Sequence, residues 1–304
     1  VFDAAYAPQP VCGPSRFAIL TGMYPESAAA EDFGTQIGTL PPDFQPYPHI
    51  FRELGYWTTN NEKRNYNSQF DFVDVWDESS HAAHWRGRAP GQPFLAVFNG
   101  DASHESCVFR KPGHPLYRTL EDPTDPAEMR VPAFLPDTQG VRMDLATSYD
   151  YLTVVDAQFG ALLADLHADG LADDTIVFVY SDHGGITPRT KRFCYEEGVR
   201  VPLIVYVPPR WRHLLPVEPG SRVADPVSHV DLLPTLLSVA GIDPPAHLHG
   251  RAYLGPFRTP GSAYAFSLAM NRVVLCRSSA TTRKLFARSE LPVPTGATVI
   301  PVEF

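Results

Sequence analysis

The pattern of apolar positions predicts strands that are buried on both faces. Three uninterrupted apolar runs stand out, each rich in β-branched and aromatic residues: Asp174–Tyr180, Pro93–Phe98 and Pro202–Val207. Runs of this kind are typical of strands in a sheet that helices cover on both sides. We therefore expect these three runs to be strands that are buried on both faces in a sheet covered by helices.

Two further segments show the periodicity of amphipathic helices. From Asp144 to Leu166, apolar residues recur at spacings of three and four, and Gly170 supplies a break before the next strand. A second helix is predicted from Asp231 through Ala240, ended by Gly241. Helices that alternate with apolar strands indicate an α/β fold with a doubly wound sheet and helices on both faces.

Polar residues follow two of the predicted strands. Ser181-Asp182-His183-Gly184-Gly185 comes after one strand, and the stretch from Asn99 to Glu105, which contains His104, comes after another. In open α/β sheets the chemistry gathers at the carboxyl ends of strands. The sequence therefore predicts that Asp182, His183 and His104 lie near one rim of the sheet.

Length and charge narrow the possible classes of protein. The chain has 304 residues, enough for one large α/β domain, and a net charge of -9, which argues against a nucleic-acid partner. No stretch approaches the ~18 apolar residues that a membrane span requires. The four cysteines are far apart, so both a Cys107–Cys194 disulfide and buried free thiols are compatible with the sequence, and the compartment stays open.

The segment Cys12-Gly-Pro-Ser-Arg16, followed by Thr21-Gly22, resembles the sulfatase signature at every defining position. In that family, a formylglycine-generating enzyme oxidises the cysteine to formylglycine (3-oxoalanine). The resemblance implies that Cys12 is this modified residue, and that its hydrated aldehyde is the nucleophile that attacks sulfur. Arg16 should lie one helical turn from Cys12 and help to hold the sulfate charge.

The resemblance also implies a metal site. The Ser181–Gly184 string is similar to the family's second metal element, which binds Ca²⁺ in most members. Asp182 supplies the oxygen ligand that a hard cation prefers. His183 is either a further ligand, beside the modified Cys12, or a contact to the substrate sulfate.

Two lysines and a histidine complete the site that the resemblance implies. Lys191 and Lys63 stand in segments similar to the family's two sulfate-binding lysine elements. Glu197 and Asn65 depart from those elements, where other members have Gly and His. His104 occupies the place of the general acid for the leaving group and contacts the substrate.

The resemblance covers residues 1–250, which we interpret as the catalytic domain of an alkaline-phosphatase-like fold, closest to the heparan N-sulfatase branch. Residues 251–304 are expected to be a partial or divergent C-terminal region. The family's first strand, which ends in two metal-binding Asp residues, is absent before Cys12. We therefore expect an N-terminally truncated chain that binds Ca²⁺ poorly and has little activity.

These features predict a hydrolase of sulfate esters or N-sulfates that acts on sulfated carbohydrates or aryl sulfates. One alternative is a phosphonate monoester or phosphodiester hydrolase of the same superfamily, because phosphate and sulfate are similar tetrahedral anions. Another is an impaired member that binds sulfated glycans without cleaving them.

Overall fold

The computed structural model describes residues 1–34, 38–71, 74–110, 120–269, 272–277 and 285–288. The strands of this part of the chain are β1 (Phe2–Tyr6), β2 (Trp57–Asn61), β3 (Glu78–Ser79), β4 (Phe94–Phe98), β5 (Val177–Tyr180), β6 (Arg200–Tyr206), β7 (Val227–Ser228), β8 (Tyr264–Ala269), β9 (Arg272–Arg277) and β10 (Leu285–Arg288). The α-helices are α1 (Cys12–Thr21), α2 (Tyr47–Glu53), α3 (Gln139–Ala168), α4 (Glu196–Val199) and α5 (Leu232–Val239).

The strands form three sheets. The first has the order β5-β6-β1-β7, in which β6 runs antiparallel to both neighbours and β1 pairs with β7 in parallel. The second is parallel, with the order β3-β2-β4, and the third is antiparallel, with the order β10-β9-β8. The expected α/β fold is therefore present, with its strands divided between two main sheets.

The predicted elements are found at their expected places. β4, β5 and β6 lie within the three apolar runs, and the two predicted helices correspond to α3 and α5. Gly170, at a φ of +68°, follows α3 as the expected break. The expectation that all three strands are buried on both faces was wrong for β6, where Ile204 and Tyr206 are 43% and 50% exposed. An apolar run by itself does not show whether a second layer covers its outer face.

Helices lie on both faces of the first sheet. On one face, α1, α2 and α5 contribute Leu20, Phe51 and Leu233 to the main hydrophobic core, which also contains Phe178 of β5 and Leu203 of β6. On the other face, α3 runs alongside β5 and β6. At its start, the Thr138 hydroxyl accepts a hydrogen bond from the Val141 N–H at 3.3 Å and so caps the helix.

The segment after residue 250 packs against the first sheet. Ala265 of β8 is buried together with Tyr6 and Val199, and the Ser267 hydroxyl donates to the carbonyl of Ala7 at 2.6 Å. Residues 278–284 and 289–304 lie outside the described residues. The division of the chain at residue 250 stays a prediction.

Two smaller expectations concern cysteines and membranes. Cys107 is a fully buried free thiol, so the disulfide to Cys194 is not formed. Among the helices that the structure describes, none combines the length and the apolar composition that a bilayer crossing requires.

Candidate active site

Cys12 is the first residue of α1 and lies at the centre of a buried cluster. The chain leaves β1, passes through an extended Val11 and turns into α1, which ends at a left-handed Gly22. One turn into the helix, the Ser15 hydroxyl donates to the carbonyl of Asp182 at 2.6 Å. The signature helix is thereby joined to the loop that follows β5.

Arg16 lies one turn from Cys12, as expected, and its guanidinium contacts other parts of the protein. It is 2% exposed, and its guanidinium donates to Oδ1 of Asn99 at 3.0 Å and to the carbonyl of Lys63 at 2.8 Å. Asn99 in turn donates to Oδ1 of Asn60 at 3.0 Å. Arg16 therefore holds the ends of β2 and β4 against α1. No role was predicted for Asn99, although it directly follows a predicted strand.

Asp182 and His183 are both buried in the loop after β5. The His183 N–H donates to Oδ1 of Asp182 at 2.9 Å, and Nδ1 of His183 donates to the carbonyl of Gly184 at 2.7 Å. That bond places a ring proton on Nδ1 and fixes the orientation of the ring. Nε2 faces Cys12, whose Sγ lies 3.1 Å away. The predicted proximity of Cys12, Asp182 and His183 is thus present in the structure.

His104 and Lys191 meet on the opposite side of the cluster. Nζ of Lys191 lies 3.2 Å from Nε2 of His104 and 3.0 Å from a carboxylate oxygen of Glu105. The same carboxylate accepts two hydrogen bonds from Arg192, at 2.8 and 2.9 Å. Glu105 and Arg192 were not assigned a role from the sequence. Their signal was only that each is a charged neighbour of a motif residue.

A cavity of about 540 Å³ opens beside this cluster. Its polar end is lined by Lys63, His104, Asp182 and His183. Burial raises the pKa of Asp182, but the positive charges around it, those of His183 and Lys63 first, lower it overall. The apolar end of the cavity is formed by side chains of α3 and β5.

Charge in the cluster favours a thiolate at Cys12. Burial and the Asp182 carboxylate raise the pKa of Cys12, but hydrogen bonds with His104 and His183 and the charge of His183 outweigh them and lower it to about 5. Burial lowers the pKa of His183, yet Asp182 and Cys12 raise it overall. The surroundings of Cys12 therefore favour its thiolate, and Asp182 and Cys12 favour the protonated form of His183.

His229 lies beneath the loop after β5 and is 2% exposed. Its Nε2 donates to the carbonyl of Ser181 at 2.7 Å, and burial lowers its pKa to about 4. The ring packs edge-on against Tyr180, with ring centroids 5.2 Å apart. His229 is therefore neutral at pH 7 and supports the residue before Asp182.

Several solved structures share the α/β architecture of this chain. Similar solved structures include a 2-O GAG sulfatase, with a TM-score of 0.65, 18% identity and coverage of 95% of this chain and 75% of that one. A phosphonate monoester hydrolase of Agrobacterium radiobacter gives a TM-score of 0.65, 15% identity and coverage of 94% and 81%. At these identities the likeness concerns the fold.

The family follows from sequence comparison. The model of the sulfatase family matches residues 1–86 and 80–242, so the chain belongs to the sulfatase family. An ulvan-active sulfatase of Formosa agariphila is 34% identical over 311 residues, which cover 88% of this chain and 51% of the relative. Arylsulfatase K of Homo sapiens is 34% identical over 328 residues, with coverage of 83% and 58%.

A third relative is the N-sulphoglucosamine sulphohydrolase of Homo sapiens, 33% identical over 139 residues, which cover 43% of this chain and 27% of the relative. The chain thus spans about half the length of the curated relatives that match most of it, at 51% and 58%. The sulfatase resemblance seen in the sequence is confirmed at the level of the family.

Proposed function

We propose that this chain carries the active site of a sulfatase in which Cys12, oxidised to formylglycine, supplies the nucleophile. The chain's membership of the sulfatase family supports hydrolysis of a sulfate ester or sulfamate. The modified side chain, as a hydrated aldehyde, would provide the hydroxyl that attacks sulfur. The formylglycine-generating enzyme is the partner that this chemistry requires.

One observation carries the proposal. Cys12 is buried where an α-helix begins, with Sγ 3.1 Å from His183 and a hydrogen bond to His104. A structural cysteine would need neither contact. A nucleophile needs a neighbouring group that moves a proton and a pocket that holds the substrate beside it.

The residues around Cys12 would have different roles in the reaction. Lys63 and Lys191 would contact the sulfuryl oxygens and stabilise the charge that develops on them, while Arg16 adds positive charge from within the protein. His104 borders the cavity and would give a proton to the leaving oxygen or nitrogen. Glu105 would hold Lys191 beside His104, so we regard it as a positioning residue.

A divalent cation would be held by Asp182 and His183, together with the modified Cys12. One oxygen of Asp182 is buried and receives no hydrogen bond from the residues that the structure describes, which supports a cation there. When bound, the ion would polarise a sulfate oxygen. Ca²⁺ takes six to eight oxygen ligands. Asp182 is the only carboxylate in the cluster that the described residues form, so this cluster alone does not fit Ca²⁺.

Sulfated carbohydrates are the substrate class that we propose. An ulvan-active sulfatase and an N-sulphoglucosamine sulphohydrolase are among the relatives. The cavity beside Cys12 has a cationic polar end and an apolar wall, which suits an anionic group attached to a larger body.

The test combines mass spectrometry and kinetics. The chain is co-expressed with a formylglycine-generating enzyme, and the Cys12 peptide should weigh about 18 mass units less than the unmodified peptide. Hydrolysis of 4-nitrophenyl sulfate and of sulfated disaccharides is then measured for the chain and for Cys12→Ala. Cys107→Ala is the control, because Cys107 is also buried.

Each outcome has a definite meaning. Modification at Cys12 with hydrolysis that Cys12→Ala abolishes would support the proposal. Faster cleavage of an aryl phosphodiester than of the aryl sulfate would overturn the choice of sulfate. A chain that stays unmodified in the presence of the enzyme, yet binds sulfated glycans, would favour a binding protein instead.

A further inference from the structure

We propose that the unmodified chain binds one Zn²⁺ ion through Cys12, Asp182 and His183. The inference concerns the thiol form of the protein and does not depend on the proposed hydrolysis. It rests on three buried donor atoms that the fold brings together from α1 and the loop after β5.

The distances between the donors suit a tetrahedral ion. The thiol sulfur, a carboxylate oxygen and an imidazole nitrogen all lie within 4.8 Å of one another. Sγ of Cys12 is 3.1 Å from Nε2 of His183, and Oδ1 of Asp182 is 3.6 Å from the same nitrogen. Tetrahedral zinc with ordinary bond lengths places such donors roughly 3.4 to 3.6 Å apart. Both distances to Nε2 of His183 are therefore within about half an ångström of zinc geometry.

His183 is oriented as a zinc ligand. Metal-binding histidines usually donate their second ring N–H to a carbonyl or a carboxylate, which fixes the tautomer and the ring direction. Here Nδ1 donates to the carbonyl of Gly184 at 2.7 Å. Nε2 is thereby left to act as the donor on the side of Cys12.

A second observation that indicates a bound cation is the hydrogen bonding of the Asp182 carboxylate. It is 4% exposed, and its Oδ2 receives no hydrogen bond from any residue that the structure describes. Oδ1, in contrast, accepts from the His183 N–H at 2.9 Å. Leaving a buried carboxylate oxygen without a partner costs free energy, and a bound cation would remove that cost.

The chemistry of the donors selects zinc over a hard cation. A set of one sulfur, one nitrogen and one oxygen is typical of zinc, whereas Ca²⁺ and Mg²⁺ prefer oxygen alone. Three protein ligands leave a fourth position for water. The positive charges of Arg16, Lys63 and Lys191 act on Asp182 and oppose the ion, so the affinity should be lower than that of a closed four-ligand site.

Formylglycine would change this preference, because it presents oxygen where cysteine presents sulfur. The thiol chain and the modified chain are therefore expected to differ in the metal that they select. A zinc-bound Cys12 would also be shielded from reagents that attack thiolates.

The experiment uses the full chain produced without a formylglycine-generating enzyme. After treatment with a chelator, the chain is titrated with ZnCl₂ and, separately, with CoCl₂. We expect about one zinc per chain by elemental analysis, a sulfur-to-cobalt charge-transfer band, and protection of the Cys12 peptide from iodoacetamide when zinc is bound.

Variants identify the ligands. Cys12→Ser should weaken zinc binding by more than the roughly 10- to 100-fold that loss of an outer hydrogen-bond partner costs. Asp182→Asn should weaken it as well. Cys107→Ser is the matched control and should bind as the parent chain does. Circular dichroism shows whether each variant is folded, and alkylation of Cys12 in the parent chain gives a result that needs no variant.

Equal zinc content in the parent chain and in folded Cys12→Ser would overturn the inference. A cobalt complex without the charge-transfer band, or alkylation of Cys12 at the same rate with and without zinc, would also overturn it. None of these measurements uses a substrate or the modified chain, so they are independent of the tests of hydrolysis.

Discussion

Glu105 links two basic residues to His104. Its carboxylate contacts Nζ of Lys191 at 3.0 Å and the guanidinium of Arg192 at 2.8 and 2.9 Å. Hydrogen bonds with Arg192 and Lys191 lower the pKa of Glu105 to about 2, against the effect of burial. The residue is therefore ionised at neutral pH and fixes the direction from which Lys191 approaches His104.

Glu105→Gln should lower kcat for an aryl sulfate by roughly tenfold, because Lys191 loses the charged partner that holds it beside His104. KM should not rise, since removal of a negative charge makes the pocket more favourable to an anion. The measurement is a steady-state analysis of the formylglycine form across pH.

Glu197→Gln is the control for this prediction, because Glu197 is a solvent-exposed carboxylate six residues after Lys191. It should leave both constants unchanged. A Glu105→Gln enzyme with parental kcat and an unaltered pH profile would contradict a positioning role.

His229 makes the stability of the fold depend on pH. Its pKa is about 4 in the folded protein and about 6.5 in an unfolded chain, so the unfolded state takes up a proton first as the pH falls. Between pH 6.5 and 4 this should remove roughly 3 kcal/mol of unfolding free energy. Burial raises the pKa of Asp231 to about 6, which acts in the opposite direction.

Comparison with His229→Gln isolates the contribution of His229, because Asp231 is present in both proteins. Gln can still donate an N–H to the carbonyl of Ser181 but does not titrate. Urea unfolding at several pH values should therefore show a flatter decline for the variant. Parallel curves for the two proteins would show that His229 titrates normally in the fold.

At the scale of elements, the loop after β5 depends on a close approach between two backbones. The N–H of Gly184 donates to the carbonyl of Gly198 at 2.8 Å. A Cβ on Gly184 would lie 1.9 Å from the carbonyl oxygen of Glu197 and 2.7 Å from Cα of Gly198. The positions of Asp182 and His183 therefore depend on the absence of a side chain at residue 184.

Gly184→Ala should destabilise the protein by about 3 kcal/mol or more, because the clash is with backbone that cannot move aside. Gly185→Ala is the matched control: its Cβ would meet only a side-chain methyl group of Thr190, at 3.8 Å. It should change stability by less than about 1 kcal/mol. Denaturant midpoints for the two variants that agree within error would contradict this account of the loop.

Some of the helices and strands could be predicted from the sequence, and others could not. β4, β5, β6, α3 and α5 have strong apolar patterns, and all of them were predicted. β2 was not, because Thr58, Thr59 and Asn60 are polar, yet all three are fully buried. Their burial depends on partners distant in the chain, such as Asp77, whose carboxylate accepts from the N–H of Thr58 at 2.8 Å. The pattern of apolar residues along the chain does not show which distant residues will be hydrogen-bond partners.

For the site, the polar residues after β4 and β5 indicated the rim from the pattern alone. The meeting of Cys12 with His183 joins residues that are 171 positions apart, and only the family resemblance indicated it. Glu105 and Arg192 could not be predicted, because their pairing depends on how two irregular loops cross.

At the scale of the whole molecule, an acidic protein contains a local basic cluster. The net charge is -9, yet Arg16, Lys63, Lys191 and Arg192 lie around the cavity and its loops. Long-range attraction of an anion is therefore weak, and short-range charge in the pocket must provide most of the binding. The proposed site fits this arrangement, because Asp182, His183 and Lys191 are all buried.

The other end of the cavity exposes apolar surface. Tyr149 and Leu152 of α3 are 57% and 55% exposed, and both line the cavity together with Val179 of β5. Contiguous apolar surface of this kind binds hydrophobic dyes, whereas scattered apolar residues do not.

We therefore expect the dye ANS to bind the folded chain along this face of α3. Leu152→Glu should reduce the fluorescence of bound ANS and leave the thermal unfolding midpoint unchanged, because the side chain contributes little to the core. Leu54→Glu is the control, since Leu54 is 45% exposed at the end of α2 and does not line the cavity. An equal loss of fluorescence in both variants would show that the dye binds exposed apolar residues anywhere on the protein. The apolar wall of the cavity would then not be a distinct binding face.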